Sequence, residues 1–146
     1  MSEIDVIIND ERWRGAPLDV SSIIELARAH LTIKKTTNLS VLLSNDEDIQ
    51  QFNATYRAKD KPTNVLSFPC DSIKGYVGDL VLSYETIKKE CQSSGKELEE
   101  HATHMIVHGF LHLLGYDHVV ESEAEIMETH EVKILASLNI KNPYDG

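Results

Sequence analysis

At 146 residues, with 41% hydrophobic and 26% charged side chains, the chain has the size and composition of one globular domain that buries its own core. It holds no apolar run near the roughly 20 residues that cross a bilayer, no basic-then-apolar secretory signal in "MSEIDVIINDERWR", and only two cysteines, Cys70 and Cys91. These features exclude a helical membrane span and a disulfide framework, and a cytoplasmic protein with reduced thiols is expected.

The formal net charge of −10 argues against a generic nucleic-acid coat, because such binding neutralises phosphates with Lys and Arg. The acidity is lopsided, however. Residues 1–96 hold 12 basic and 14 acidic side chains and residues 97–146 hold 2 and 10, which leaves room for a local basic surface.

In chain order, Ile4, Val6 and Ile8 alternate as in a half-buried strand. "DVSSIIELARAHL" (Asp19 to Leu31) places Val20, Ile23, Ile24, Ala27 and Leu31 on one helical face. "NLSVLLS" (Asn38 to Ser44) predicts a second strand, and Ser44 with Glu47 forms an S-x-x-E capping box for a helix running to about Tyr56. "RAKDKPTN" breaks the pattern at Pro62. "VLSF" and "GDLVLS", separated by turn formers that include Pro69, Gly75 and Gly78, predict two neighbouring strands suited to antiparallel pairing. A short helix follows from Ser83 to about Gln92 and stops at "SSG". Lys96 to Leu114 is helical and its second half is apolar nearly all round, the mark of a central buried helix, with Gly115 placed to end it. "ESEAEIMETHEVKILASL" closes the chain as an amphipathic helix with an acidic solvent face. With no repeat or linker, the expectation is a single α+β domain over residues 1–146, a mixed sheet of about four strands with about five helices.

Five of the seven histidines fall between His101 and His118. His104, His108 and His112 share one helical face, but eight residues of helix rise about 12 Å, whereas ligand nitrogens each lie about 2.0–2.1 Å from a zinc ion. Only two neighbours four residues apart can converge. The break at Gly115 lets the chain return His118, so His108, His112 and His118 are the expected ligands of one Zn2+ per chain, with water in a fourth, open position. The rival set, His104, His108 and His118, leaves the turn one helical turn too far on. His101 and His104 are expected to be structural or to support the ligands, and His30 and His130 carry no assigned role. Three imidazoles would also suit nickel, copper or iron.

The spacing H-x-x-x-H-x-x-G-x-x-H matches the zincin pattern H-E-x-x-H-x-x-G-x-x-H except that the general-base glutamate is replaced by Gly109. That substitution disfavours a peptidase. A glycine inside a helix costs roughly 1 kcal/mol relative to alanine, and two explanations stand: close packing of another element, or space beside the metal for a bulky substrate group.

"HMIVHGFLHLLGYDH", with "YRAKDKPTNVLSFP" and "GDLVLS", resembles the YbeY family of bacterial endoribonucleases, closely over about Asn38 to Tyr144. The resemblance implies a single-domain α+β fold with a zincin-like metal site on the central helix. It also implies action on ribosomal RNA, including maturation of the small-subunit RNA 3′ end, and a part in ribosome quality control. Its metal-binding histidines fall on His108, His112 and His118, and its functionally important arginine on Arg57. Arg57 opens "RAKDK", the densest basic cluster, and a guanidinium offers paired donors suited to phosphate. Arg57 and His112 are thus the expected catalytic residues, and Arg57, Lys59 and Lys61 the expected substrate contacts.

The proton acceptor stays open. Asp117 suits either a base or a carboxylate orienting His118, Asp79 either lines the cleft or ends a turn, and attack by the RNA's own 2′-hydroxyl would need neither. Ribosomal RNA and the ribosome or its assembly factors are the expected partners, with no membrane. The rival function is a ribosome-assembly or RNA-binding factor whose metal is structural.

Overall fold

A computed structural model describes residues 3–117 and 120–144. Its elements are β1 (Ile4–Ile8), a 3-10 turn (Glu11–Gly15), α1 (Val20–Leu31), β2 (Asn38–Ser44), α2 (Asp46–Arg57), β3 (Val65–Pro69), β4 (Tyr76–Ser83), α3 (Tyr84–Ser94), α4 (Leu98–Leu113) and α5 (Glu121–Ser137). The strands lie in the order β1-β2-β4-β3, with β1 and β4 parallel to β2 and β3 antiparallel to β4. The fold is therefore α+β around a mixed four-stranded sheet, as the pattern of elements predicts.

Period-two alternation sorts the sheet's side chains into two cores. Leu39, Val41, Leu43, Leu80 and Leu82 face the larger core, which α1, α3, α4 and α5 complete with Ile24, Ile87, Phe110 and Ile134. Leu66 and Val81 face the other way, onto Ile49 of α2, with Leu42, Phe52 and Phe68 around them. Helix α4 runs through the larger core and buries Ala102 to Val107, Gly109 to Leu111 and Leu113. A hydrophobic surface on nearly every side explains why its sequence shows so little amphipathicity.

Gly109 packs against the sheet. A Cβ there would lie 2.7 Å from Leu80 Cδ2 and 3.2 Å from Ser67 Oγ, so the missing side chain lets α4 approach β3 and β4. Close packing, and not added room beside a substrate, accounts for it.

Three details depart from the sequence reading. The cap of α2 is Asn45, whose side chain accepts from Asp48 N, and not Ser44. Ser44 is the last residue of β2, paired with Ser83, and its hydroxyl donates to Asp48 Oδ2 at 2.7 Å. The 3-10 turn was not legible as an element; it buries Trp13, whose Nε1 donates to Ser44 O at 2.8 Å. Asp79 lies on the α2 face of β4 and accepts from the Tyr76 hydroxyl, so it does not line the cleft beside α4. Among the described residues no helix is long and apolar enough to cross a membrane.

Candidate metal centre

His108 and His112 stand one turn apart near the end of α4, and their Nε2 atoms lie 3.1 Å from each other. An ion 2.0–2.1 Å from both atoms would subtend roughly 100° between them, which suits four-coordinate zinc. Helix α4 stops directly after this pair. Gly115 takes φ +98°, its N–H donates to His112 O at 3.0 Å, and Tyr116 N–H donates to Leu111 O at 3.0 Å. This is the Schellman arrangement, which turns the chain sharply where glycine permits it. His118, the expected third ligand, lies outside the described residues.

Behind the pair sits a carboxylate that the sequence reading missed. Glu131 of α5 is only 1% exposed and joins Met127, Ile134 and Leu135 on the buried face of that helix. Its Oε1 lies 3.1 Å from His108 Nδ1, its Oε2 lies 2.7 Å from His104 Nε2, and the Tyr144 hydroxyl donates to Oε2 at 2.8 Å. Burial pushes the Glu131 carboxyl up, but the hydrogen bonds from His104 and His108 outweigh that and hold it at about 2. Burial and the neighbouring Glu131 charge push the Tyr144 phenol up, so it keeps its proton as a donor.

An ionised carboxylate only accepts, so both imidazoles must donate to it. A neutral His108 with its proton on Nδ1 then presents the lone pair of Nε2 toward His112. His104, His108 and Glu131 also form a group whose ligand atoms lie within 4.8 Å of one another and that could hold a metal ion. Within that group, the 2.7 Å contact from His104 to Glu131 has the length of a direct charge-assisted hydrogen bond. His104 Nδ1 and His101 Nδ1 are buried with no hydrogen-bond partner among the described residues. His101 Nε2 lies 2.7 Å from Glu90 Oε1, linking α4 to α3.

The histidine pair opens into a cleft of about 560 Å³ whose walls include Arg57, Ser67, His108, His112, Tyr116 and Asp117. The long-range partner is Arg57. It ends α2, where Ala58 adopts φ +55° and turns the chain away. Its Nη2 donates to Ser67 O at 2.8 Å, and its Cζ lies 5.8 Å from the Phe68 ring centroid. Lys59 and Lys61 are exposed in the following loop and do not line the cleft. Asp117 is exposed at the cleft mouth, just after the α4 stop. His30 and His130, without an assigned role from sequence, meet between α1 and α5 with Nε2 and Nδ1 3.3 Å apart.

A family model described as "Endoribonuclease YbeY" matches residues 8–139, a span that holds Arg57, the histidine pair and Glu131. This chain belongs to the YbeY family. Curated members agree. A Rhodopseudomonas palustris (strain CGA009) protein named Endoribonuclease YbeY is 49% identical over 97% of this chain and 80% of its own length. Bearers of the same name from Rhizobium etli and Chelativorans are 47% and 51% identical, over 77% and 73% of this chain and 70% and 69% of their own lengths. A Thermotoga maritima protein solved in solution superposes with a TM-score of 0.59 at 17% identity, over 98% of this chain and 99% of that one, a likeness that shows the fold alone.

Proposed function

We propose that this YbeY-family chain is a metal-dependent endoribonuclease that cleaves single-stranded ribosomal RNA, in maturation of the small-subunit RNA 3′ end and in ribosome quality control. The observation that carries the reading is the 3.1 Å approach of His108 Nε2 to His112 Nε2 at the floor of a cleft whose rim holds Arg57. The relatives' shared name supplies the substrate class. His108, His112 and His118 hold one zinc ion, with His104 and Glu131 behind them as orienting groups.

When bound, the ion supplies Lewis acidity toward a phosphodiester oxygen or lowers the pKa of its water toward 7. The protein's own contribution is placement. Glu131 fixes the His108 ring, the Gly109 contact fixes α4 against the sheet, and the Ser67 carbonyl anchors one arm of the Arg57 guanidinium at the rim. The other guanidinium N–H groups serve a phosphate, where their fixed charge stabilises negative charge as it develops. Asp117 is the carboxylate among the cleft's described walls and either accepts a proton or orients His118.

The test is cleavage of a structured RNA by metal-stripped and metal-reconstituted protein, alongside Arg57→Ala and His112→Ala variants shown to be folded by circular dichroism. The expected result is cleavage that needs added metal and falls by two orders of magnitude or more in either variant. Metal-independent cleavage, or an Arg57→Ala protein as active as the parent, points to a contaminating nuclease. Tight RNA binding without cleavage supports an assembly factor with a structural metal.

A further inference from the structure

Three aromatic rings stand together where α2 meets β3. Phe52 and Tyr56, one turn apart on α2, have centroids 6.4 Å apart and planes inclined by 22°. Phe68 on β3 meets both, at 6.2 Å and 5.6 Å. Phe52 and Phe68 are partly buried against the small core of Ile49, Leu66 and Val81. Tyr56 is not: 67% of it is exposed, more than any other large hydrophobic side chain among the described residues. An aromatic ring held by two anchored neighbours yet open to water is a preordered surface, because its rotamer entropy is already spent.

What borders the ring indicates what it takes. Arg57 follows Tyr56 directly, packs over Phe68, and reaches the cleft that holds His108 and His112. Lys59 and Lys61 continue the positive charge, while Asp60 accepts from Gln50 Nε2 at 2.9 Å. On a chain of net charge −10, an exposed ring followed along the chain by Arg57, Lys59 and Lys61 is a local exception. A ring beside a row of cations matches a single nucleic-acid strand, in which bases alternate with phosphates. A duplex keeps its bases stacked inside and has none to offer.

We propose that Tyr56 is a base-stacking platform, receiving the base next to the phosphate held by Arg57 and extending the substrate site beyond the metal centre along the end of α2. The proposal rests on the endoribonuclease reading above. It gives Tyr56 the task of positioning the strand, with Lys59 and Lys61 following its backbone outside the cleft.

The experiment compares parent, Tyr56→Ala and Tyr56→Phe proteins on a short single-stranded RNA and on the same sequence paired into a duplex, reading KM and kcat separately. A Tyr56→Trp protein adds a fluorescence signal for stacking, against the buried Trp13 as background. The expected result is a rise in KM of about tenfold or more for Tyr56→Ala on the single strand. It comes with a smaller change in kcat, recovery in Tyr56→Phe, no effect on duplex binding, and quenching of the introduced indole's emission by single-stranded RNA. A folded Tyr56→Ala protein with the parent's KM, while the parent cleaves RNA, overturns the stacking role alone. A parent that neither binds nor cleaves the RNA overturns the endoribonuclease reading and this proposal with it.

Discussion

Glu131 and His108 are joined across the α4–α5 contact by a 3.1 Å hydrogen bond from Nδ1–H to Oε1, which leaves His108 Nε2 facing His112. The carboxylate thereby chooses the tautomer that a metal ligand needs. Glu131→Gln keeps the shape but places an amide N–H₂ against rings that must donate, so at least one imidazole loses its partner or changes tautomer. Metal affinity is predicted to fall 10–100-fold, read by competition with a chromogenic chelator. Unchanged affinity would show that Glu131 does not orient the ligand.

Gly109 occupies the position where a zincin peptidase carries its general base, and the sheet fills the space that such a side chain needs. Gly109→Glu is therefore predicted to destabilise the fold by about 3 kcal/mol or more, lowering the melting temperature by roughly 10 °C, and to confer no peptidase activity. A variant that melts with the parent would mean that Leu80 and Ser67 yield more readily than their burial implies.

Asp10 sets an acid limit of its own. Its carboxylate accepts from Arg12 N at 3.0 Å, Arg12 Nε at 2.9 Å, Arg12 Nη2 at 2.8 Å and Asn45 Nδ2 at 3.2 Å. The Arg12 side chain holds it well below the usual carboxylate range, against the opposing pull of burial. A folded-state value below the unfolded one gives stability that is present above about pH 4 and is lost as pH falls further. Arg12 is half exposed, so solvent screens the pair and the contribution is small. The melting-temperature gap between parent and Asp10→Asn should be constant from pH 7 to pH 5 and shrink below pH 4. A gap at pH 3 as large as that at pH 7 would assign the effect to shape and not charge.

The metal helix was legible because its signals are local. Histidines four residues apart share a helical face, and a glycine three residues after the second is a favoured helix stop, although Gly109 inside the same helix does not end it. The edge strand carrying Ser67 was likewise visible as a short apolar run, although not its place over Gly109. Glu131 was missed because it sits 23 positions from His108 among glutamates that do face solvent. The available signal was a carboxylate in the apolar stripe of Met127, Ile134 and Leu135, a position that demands partners. Asn45 displaced Ser44 as the α2 cap because strand pairing had already claimed Ser44, a tertiary fact no four-residue pattern holds. Arg57 was named from family resemblance, and only the Ser67 carbonyl explains how an exposed helix end reaches the cleft.

We propose that one ion binds between His108 and His112, with His118, and not between His104, His108 and Glu131. Metal content by mass spectrometry of the purified parent, His112→Ala and His104→Ala proteins separates the two directly. The expected content is about one equivalent in the parent, near-complete loss in His112→Ala, and retention in His104→Ala with weakened affinity. Full metal in His112→Ala together with loss in His104→Ala would contradict it and move the centre onto Glu131.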